Sequence, residues 1–268
     1  MAFASTLAAH PAVGIVMAAD GSVFYSDNVH VWLIMPGGNK SIAVPGVHTH
    51  ELWLDARGNL YGEHLWYEGG RTGRWGHRVW KRSPDGAVSG LIPARSGFRD
   101  DYKDFFFVRD QAERMYWLER DSRAVIVKRR GSGPPETLAT LPPGRAGWMA
   151  ATPDGEAIVC HRGRLLRIRA GGHVHVLAER LTHSALEAEV MGLWTDASGN
   201  VYAAAPNTRE VKRITPKGDV STAAVIPAPW RPAGGLAAPD GSLWILEFSP
   251  DNAQRLRRVD RSGAHRVY

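Results

Sequence analysis

The chain has 268 residues, 44% of them apolar, and a formal net charge of +6, which is enough to bury a sizeable core in a single domain spanning 1–268. No apolar run approaches the roughly 18–20 residues of a bilayer span. One cysteine, Cys160, excludes internal disulfides and cysteine-rich metal sites and fits a reducing, cytoplasmic setting.

The positive charge raises a polyanion partner as a question, but the basic residues are scattered rather than clustered. Nucleic acid is therefore not expected, and neither is a membrane. A monomer working on a small molecule or a peptide is the expectation. The apolar stretch 11–19 has no basic segment before it and runs straight into Asp20-Gly21, so it reads as a strand rather than as a signal-peptide core.

From there a module recurs along the chain: a short apolar strand, a tight glycine turn, then a strand with an aromatic residue. It occupies 14–27 and 51–63, is degenerate at 106–119, and returns at 147–160, 192–202 and 235–247. The matched positions Val23, Leu60, Met115, Ala157, Val201 and Leu243 lie 37, 55, 42, 44 and 42 residues apart. Each copy is followed by two more strands, as at 31–35 with 41–44 and 125–128 with 136–139. Four short strands per repeat of about 40 residues predict an all-β, six-bladed β-propeller with four antiparallel strands per blade. Ring closure also removes the open edges that a stack of such units would leave. Segments 255–259 and 264–267 would complete blade six, unless residues 2–8 supply an outer strand there.

Turns between first and second strands, and between third and fourth, are minimal: Asp20-Gly21, Arg57-Gly58-Asn59, Pro84-Asp85-Gly86. The length lies on the opposite face, in 65–76, 93–103 and 179–190. Long loops on a rigid scaffold are where binding residues gather, so that face is the expected working surface.

Blade two holds the densest constellation: His48, His50 and Glu51 open its inner strand and Glu63-His64 close the strand beside it. Counting outward from a turn at 56–59 pairs Asp55 with Leu60 and sets Glu51 opposite His64. Strand alternation then puts His48, His50 and Glu63 on one side, and Glu51 with His64 on the other. The first three suit a divalent metal ion, with Glu51 or His64 as acid or base. The same residues read equally as a hydrogen-bonded network pinning the strand ends.

Around the same mouth the repeat places Trp66 and Tyr67, then Asp101, Tyr102 and Lys103, then Glu119, His161, Glu189, Arg231 and Glu247, as candidate ligand-binding residues. Trp53, Trp117, Trp194 and Trp244 are expected in the inter-blade core, and the arginines of 164–169 and 255–258 on a solvated rim. No Gly-x-Ser-x-Gly elbow and no P-loop is present.

The run Gly-Leu-Trp-Thr-Asp-Ala-Ser-Gly-Asn-Val-Tyr at 192–202 resembles the NHL repeat. The chain as a whole is similar to the six-bladed propellers that include the SMP-30/gluconolactonase group and strictosidine-synthase relatives. The resemblance rests on turn residues and so implies fold more than activity. Gluconolactonases open their first inner strand with Glu-Gly-Pro, whose Glu binds the metal. Here 13–16 reads Val-Gly-Ile-Val, and Glu51, heading the equivalent strand one blade later, is followed by Leu-Trp. A lactonase site therefore does not transfer residue by residue. Two functions follow: a metal-assisted hydrolase or lyase acting on a small polar ligand at the axial mouth, or a non-catalytic propeller binding a peptide, protein or sugar on the long-loop face.

Overall fold

The computed structural model describes residues 11–69, 74–98, 102–120, 122–181 and 190–268. Six antiparallel sheets follow one another along the chain: β1–β4 (15–44), β5–β8 (52–96), β9–β11 (115–141), β12–β15 (146–178), β16–β19 (192–225) and β20–β23 (231–267). This is a six-bladed propeller. No helix among the described residues is long and apolar enough to cross a membrane.

The inner hairpin of each blade is set by local turn chemistry. In blade two the Gly58 N–H donates to the Asp55 carbonyl at 3.0 Å, and the Asp55 N–H to the Asn59 carbonyl at 3.0 Å. Gly58 has φ +79°, a conformation open to glycine at little cost. The Asp55 carboxylate accepts from the N–H groups of Arg57 and Asn59, the Asn59 amide and the Tyr61 hydroxyl. Asp196 repeats the arrangement with Ser198, Asn200 and Tyr202. Asp110 keeps it in the degenerate third copy, with Arg114 where the others have asparagine and Tyr116 as the tyrosine.

Five sheets have four strands and blade three has three. Its innermost segment pairs only through the bridge Arg109–Met115. The alternation of a strand persists there: Phe105 and Phe107 pack with Tyr61 and Val79 of blade two, while Phe106 stacks on Trp117 at 4.7 Å.

The ring closes through side chains of blades one and six. Ile15, Val23, Tyr25 and Ile34 share a buried cluster with Trp244, Leu246 and Leu256. Strand β23 (His265–Val267) is the outer strand of blade six, and Tyr268 exchanges backbone hydrogen bonds with Leu256. The alternative latch at 2–8 lies outside the described residues.

Blade two stands taller than the rest. Strands β6 (Leu60–Gly69), β7 (Arg74–Arg82) and β8 (Val88–Ser96) run for 10, 9 and 9 residues. The segment 65–76, expected as a loop, is therefore mostly a paired hairpin arm whose register continues through Tyr67–Trp75.

Candidate functional site

Inner-strand residues of all six blades, among them Val13, Glu51, Phe107, Trp148, Gly192 and Gly234, line a narrow axial space of about 160 Å³. It shares Glu51, Phe107, Val108, Trp148 and Met149 with a wider cavity of about 490 Å³ on the face opposite the tight turns, a size suited to a small organic ligand.

His50, Glu51 and Glu63 form the blade-two wall of this cavity. Glu63 is 3% exposed, and its Oε1 lies 3.7 Å from His50 Nδ1. His50 Nε2 lies 3.2 Å from His48 Nε2. A carboxylate only accepts, so the matching tautomer of His50 presents Nδ1–H to Glu63 and takes the His48 Nε2–H on its own Nε2. Burial, helped by neighbouring His50 and opposed by Glu63, pushes His48 down to about 4, which keeps it neutral near pH 7.

The strand ends are fixed by Thr49. It is fully buried, donates its hydroxyl to the Glu63 carbonyl, and accepts the Ser26 hydroxyl on its own carbonyl at 2.5 Å. Trp80 Nε1 donates to the same Glu63 carbonyl at 2.9 Å.

The pairing expected across the blade-two turn is off by one. Leu52 faces Gly62 and Leu54 faces Leu60, because the turn closes between Asp55 and Asn59. His64 is accordingly not at the cavity. Its Nδ1 accepts the His48 backbone N–H at 2.9 Å, its ring stacks on Trp66, and burial with the Arg78 charge lowers its pKa. It pins the chain where an acid or base was expected.

Among the described residues no group of three His, Cys, Asp or Glu side chains is disposed to hold one ion. The cause in blade two is visible: Glu63 addresses Nδ1 of His50, His48 addresses Nε2, and these are opposite edges of one ring. The expected triad His48, His50, Glu63 does not converge, and two imidazoles fall short of the three protein ligands usual at a catalytic zinc.

The remaining candidates scatter. Lys103 pairs with Glu119 at 3.0 Å; burial raises the Glu119 carboxyl, but hydrogen bonds from Lys103 and Trp117 outweigh it and hold the pKa below the ordinary value. Tyr102 donates its hydroxyl to the Ser96 carbonyl at 2.7 Å, and Tyr67 is an exposed edge-on neighbour of Trp75. His161 is buried and turned to the Pro142 carbonyl at 3.0 Å. Glu247 is fully buried against Arg255 and Arg257, so Arg257 belongs to a buried ion pair, not to a solvated rim. Arg231 is exposed at the start of β20 (Arg231–Ala237). Asp101 and Glu189 lie outside the described residues.

Other residues line the cavity instead: Arg120, Arg145, Arg162, Trp148, Met149 and Trp117. Arg120 and Arg162 line the cavity, whereas their neighbours Glu119 and His161 are engaged with Lys103 and the Pro142 carbonyl.

Neither a protein-family model nor a curated protein sequence matches the chain. Solved structures do. A calcium-binding protein, regucalcin, from Agrobacterium tumefaciens aligns at TM-score 0.60 and 13% identity, over 88% of this chain and 81% of that one. A gluconolactonase from Xanthomonas campestris aligns at 0.60 and 14%, over 92% and 86%. A catalytically inactive virginiamycin B lyase from Staphylococcus aureus with quinupristin aligns at 0.55 and 13%, over 96% and 83%. At these identities the likeness is one of fold: the chain is a β-propeller that superposes on those structures.

Proposed function

We propose that the chain is an enzyme acting on a small polar ligand at the axial mouth, by hydrolysis or lyase-type bond cleavage, with His50 and Glu63 handling the proton. The observation that carries this is the pairing of His50 Nδ1 with a 97%-enclosed carboxylate (Glu63 is 3% exposed) on the wall of a ligand-sized cavity. An imidazole that takes up a proton at Nε2 becomes a cation, and the adjacent Glu63 carboxylate compensates that charge. A ligand group reaching Nε2 takes the place of the His48 N–H. Glu51, where the cavity meets the axial space, supplies a second carboxylate to the same wall. The proposed chemistry uses protein side chains, since the donors here do not gather around one ion.

The test is a turnover screen on lactones, esters and substrates cleaved by elimination, followed by Glu63→Gln and His50→Gln. Each substitution is expected to lower kcat by about 10²-fold or more with the melting temperature retained. Unchanged turnover in Glu63→Gln overturns the assignment.

A second reading has its own support in the blade-two arm, where Tyr67 and Phe98 are each 45% exposed beside Trp75. Such a surface suits a non-catalytic propeller holding a peptide or sugar. Binding that survives Glu63→Gln without any turnover favours it.

A further inference from the structure

The cavity has two chemically different walls. Beside His50, Glu51 and Glu63 of blade two, the same space is lined by Arg120 of blade three and by Arg145 and Arg162 of blade four, all exposed. Their grouping follows from the backbone of blade four. Ala146 pairs with His161, so Arg145 and Arg162 are consecutive across the hairpin, and the Arg162 N–H donates to the Arg145 carbonyl at 3.0 Å. Arg120 reaches over from blade three, and its Nη2 donates to the Ala146 carbonyl at 3.2 Å. The Arg162 guanidinium is held by the Pro143 carbonyl. For Arg120 and Arg162 the carbonyl partner orients the guanidinium but leaves its charge in place, with donors to spare.

The rest of the lining includes apolar and aromatic side chains. Phe106 and Trp117 stack with an interplanar angle of 3°, and Trp148 and Met149 line the same space. We propose that the cavity takes an amphipathic organic anion, with a carboxylate or phosphate monoester on the arginine rim and a flat apolar body across the Phe106–Trp148 floor. Its uncharged, reacting end then faces His50 and Glu63. This deepens the proposed function by naming a ligand class, and rests on the same cavity. Guanidinium groups bind both oxyanions through charge-assisted hydrogen bonds, so the two sources are separated by experiment.

Calorimetric titration of the purified full chain with 3-phenylpropionate, phenyl phosphate and the neutral 3-phenylpropan-1-ol supplies the test. At least one anion is expected to bind about tenfold or more tightly than the alcohol, with a preference that shrinks as salt is added. Stronger phenyl phosphate marks a phosphate monoester, and stronger 3-phenylpropionate a carboxylate. The Arg120→Gln/Arg162→Gln double variant should lose the preference and keep the alcohol affinity. Arg162→Gln alone, and the salt dependence of the unaltered chain, serve if the double variant does not fold. Equal affinity for alcohol and anions, a preference untouched by the substitutions, or no anion binding in the millimolar range overturns the inference. Anion binding without Glu63-dependent turnover sinks the enzymatic reading alone. Turnover without anion preference sinks this one alone.

Discussion

Asp55 shows how much one carboxylate can decide. Burial raises its pKa, but hydrogen bonds from Asn59, Tyr61 and Arg57 outweigh this and leave it below 3.8. A folded-state pKa below the unfolded one contributes stability that is present above pH 3.8 and lost as pH falls through the folded value. Asp55→Asn keeps the shape and removes the charge, so it should cost about 1 kcal/mol at pH 7, the low end for a half-exposed charged acceptor. In urea titrations the gap to the unaltered chain should close below about pH 4; a gap of constant size across pH 7 to 3 contradicts the account. The same turn explains what a single sequence could and could not reveal about the site. The cluster at His50, Glu51 and Glu63 was legible from the repeat. Its register was not, because whether the loop closes at Asp55–Asn59 or one residue further depends on which N–H groups the carboxylate captures. Glu119 and His161 are singled out by their places at strand ends, yet the cavity is lined by the next residues, Arg120 and Arg162; Arg162 lies past its strand in a turn with φ +51°, which strand alternation does not foresee.

Elements differ in how openly they announce themselves. The arm of β6 and β7 was expected as loop because it exceeds the hairpins of the other blades, yet Trp66, Tyr67, Trp75 and Val79 are residues that favour strands. Blade three misled in the opposite way: its inner segment has strand alternation in Phe105, Phe106 and Phe107 but almost no ladder. The arm projects beyond the ring, so its tip should be dispensable to the fold. Replacing 67–75 with Asn-Gly joins Trp66 to Gly76, which already face one another, through a two-residue turn suited to a hairpin. The melting temperature is expected to move by less than about 5 °C, because none of the described residues replaced is buried, Tyr67 being 45% exposed. Phe98, which lines the cavity and stacks on Trp75 at 5.9 Å, loses that support, so aromatic ligands should bind more weakly. A broad, non-cooperative melt would show instead that the arm belongs to the core.

At the scale of the whole ring the repeat was readable because turn chemistry is local and recurs with each blade, whereas closure joins residues more than 200 positions apart in sequence, such as Val13 and Gly234. The inner strands approach so closely there that side chains are excluded. A Cβ on Gly234 would lie 2.5 Å from the Val13 carbonyl oxygen, and one on Gly192 the same distance from that of Ala233. These neighbours are backbone, so they cannot swing aside as a flexible side chain would. Gly234→Ala should therefore force blades one and six apart and cost about 2–3 kcal/mol. Gly37→Ala, where nothing lies within 4 Å, should stay within about 0.5 kcal/mol of the unaltered chain. Both values come from urea unfolding followed by tryptophan fluorescence. Because Gly234 also borders the axial space, a closure fault should reach the cavity and weaken ligand binding in the same variant. Equal stability of the two variants would mean that the side-chain cluster of Ile15, Tyr25, Trp244 and Leu256 closes the ring without help from the backbone contact at its axis.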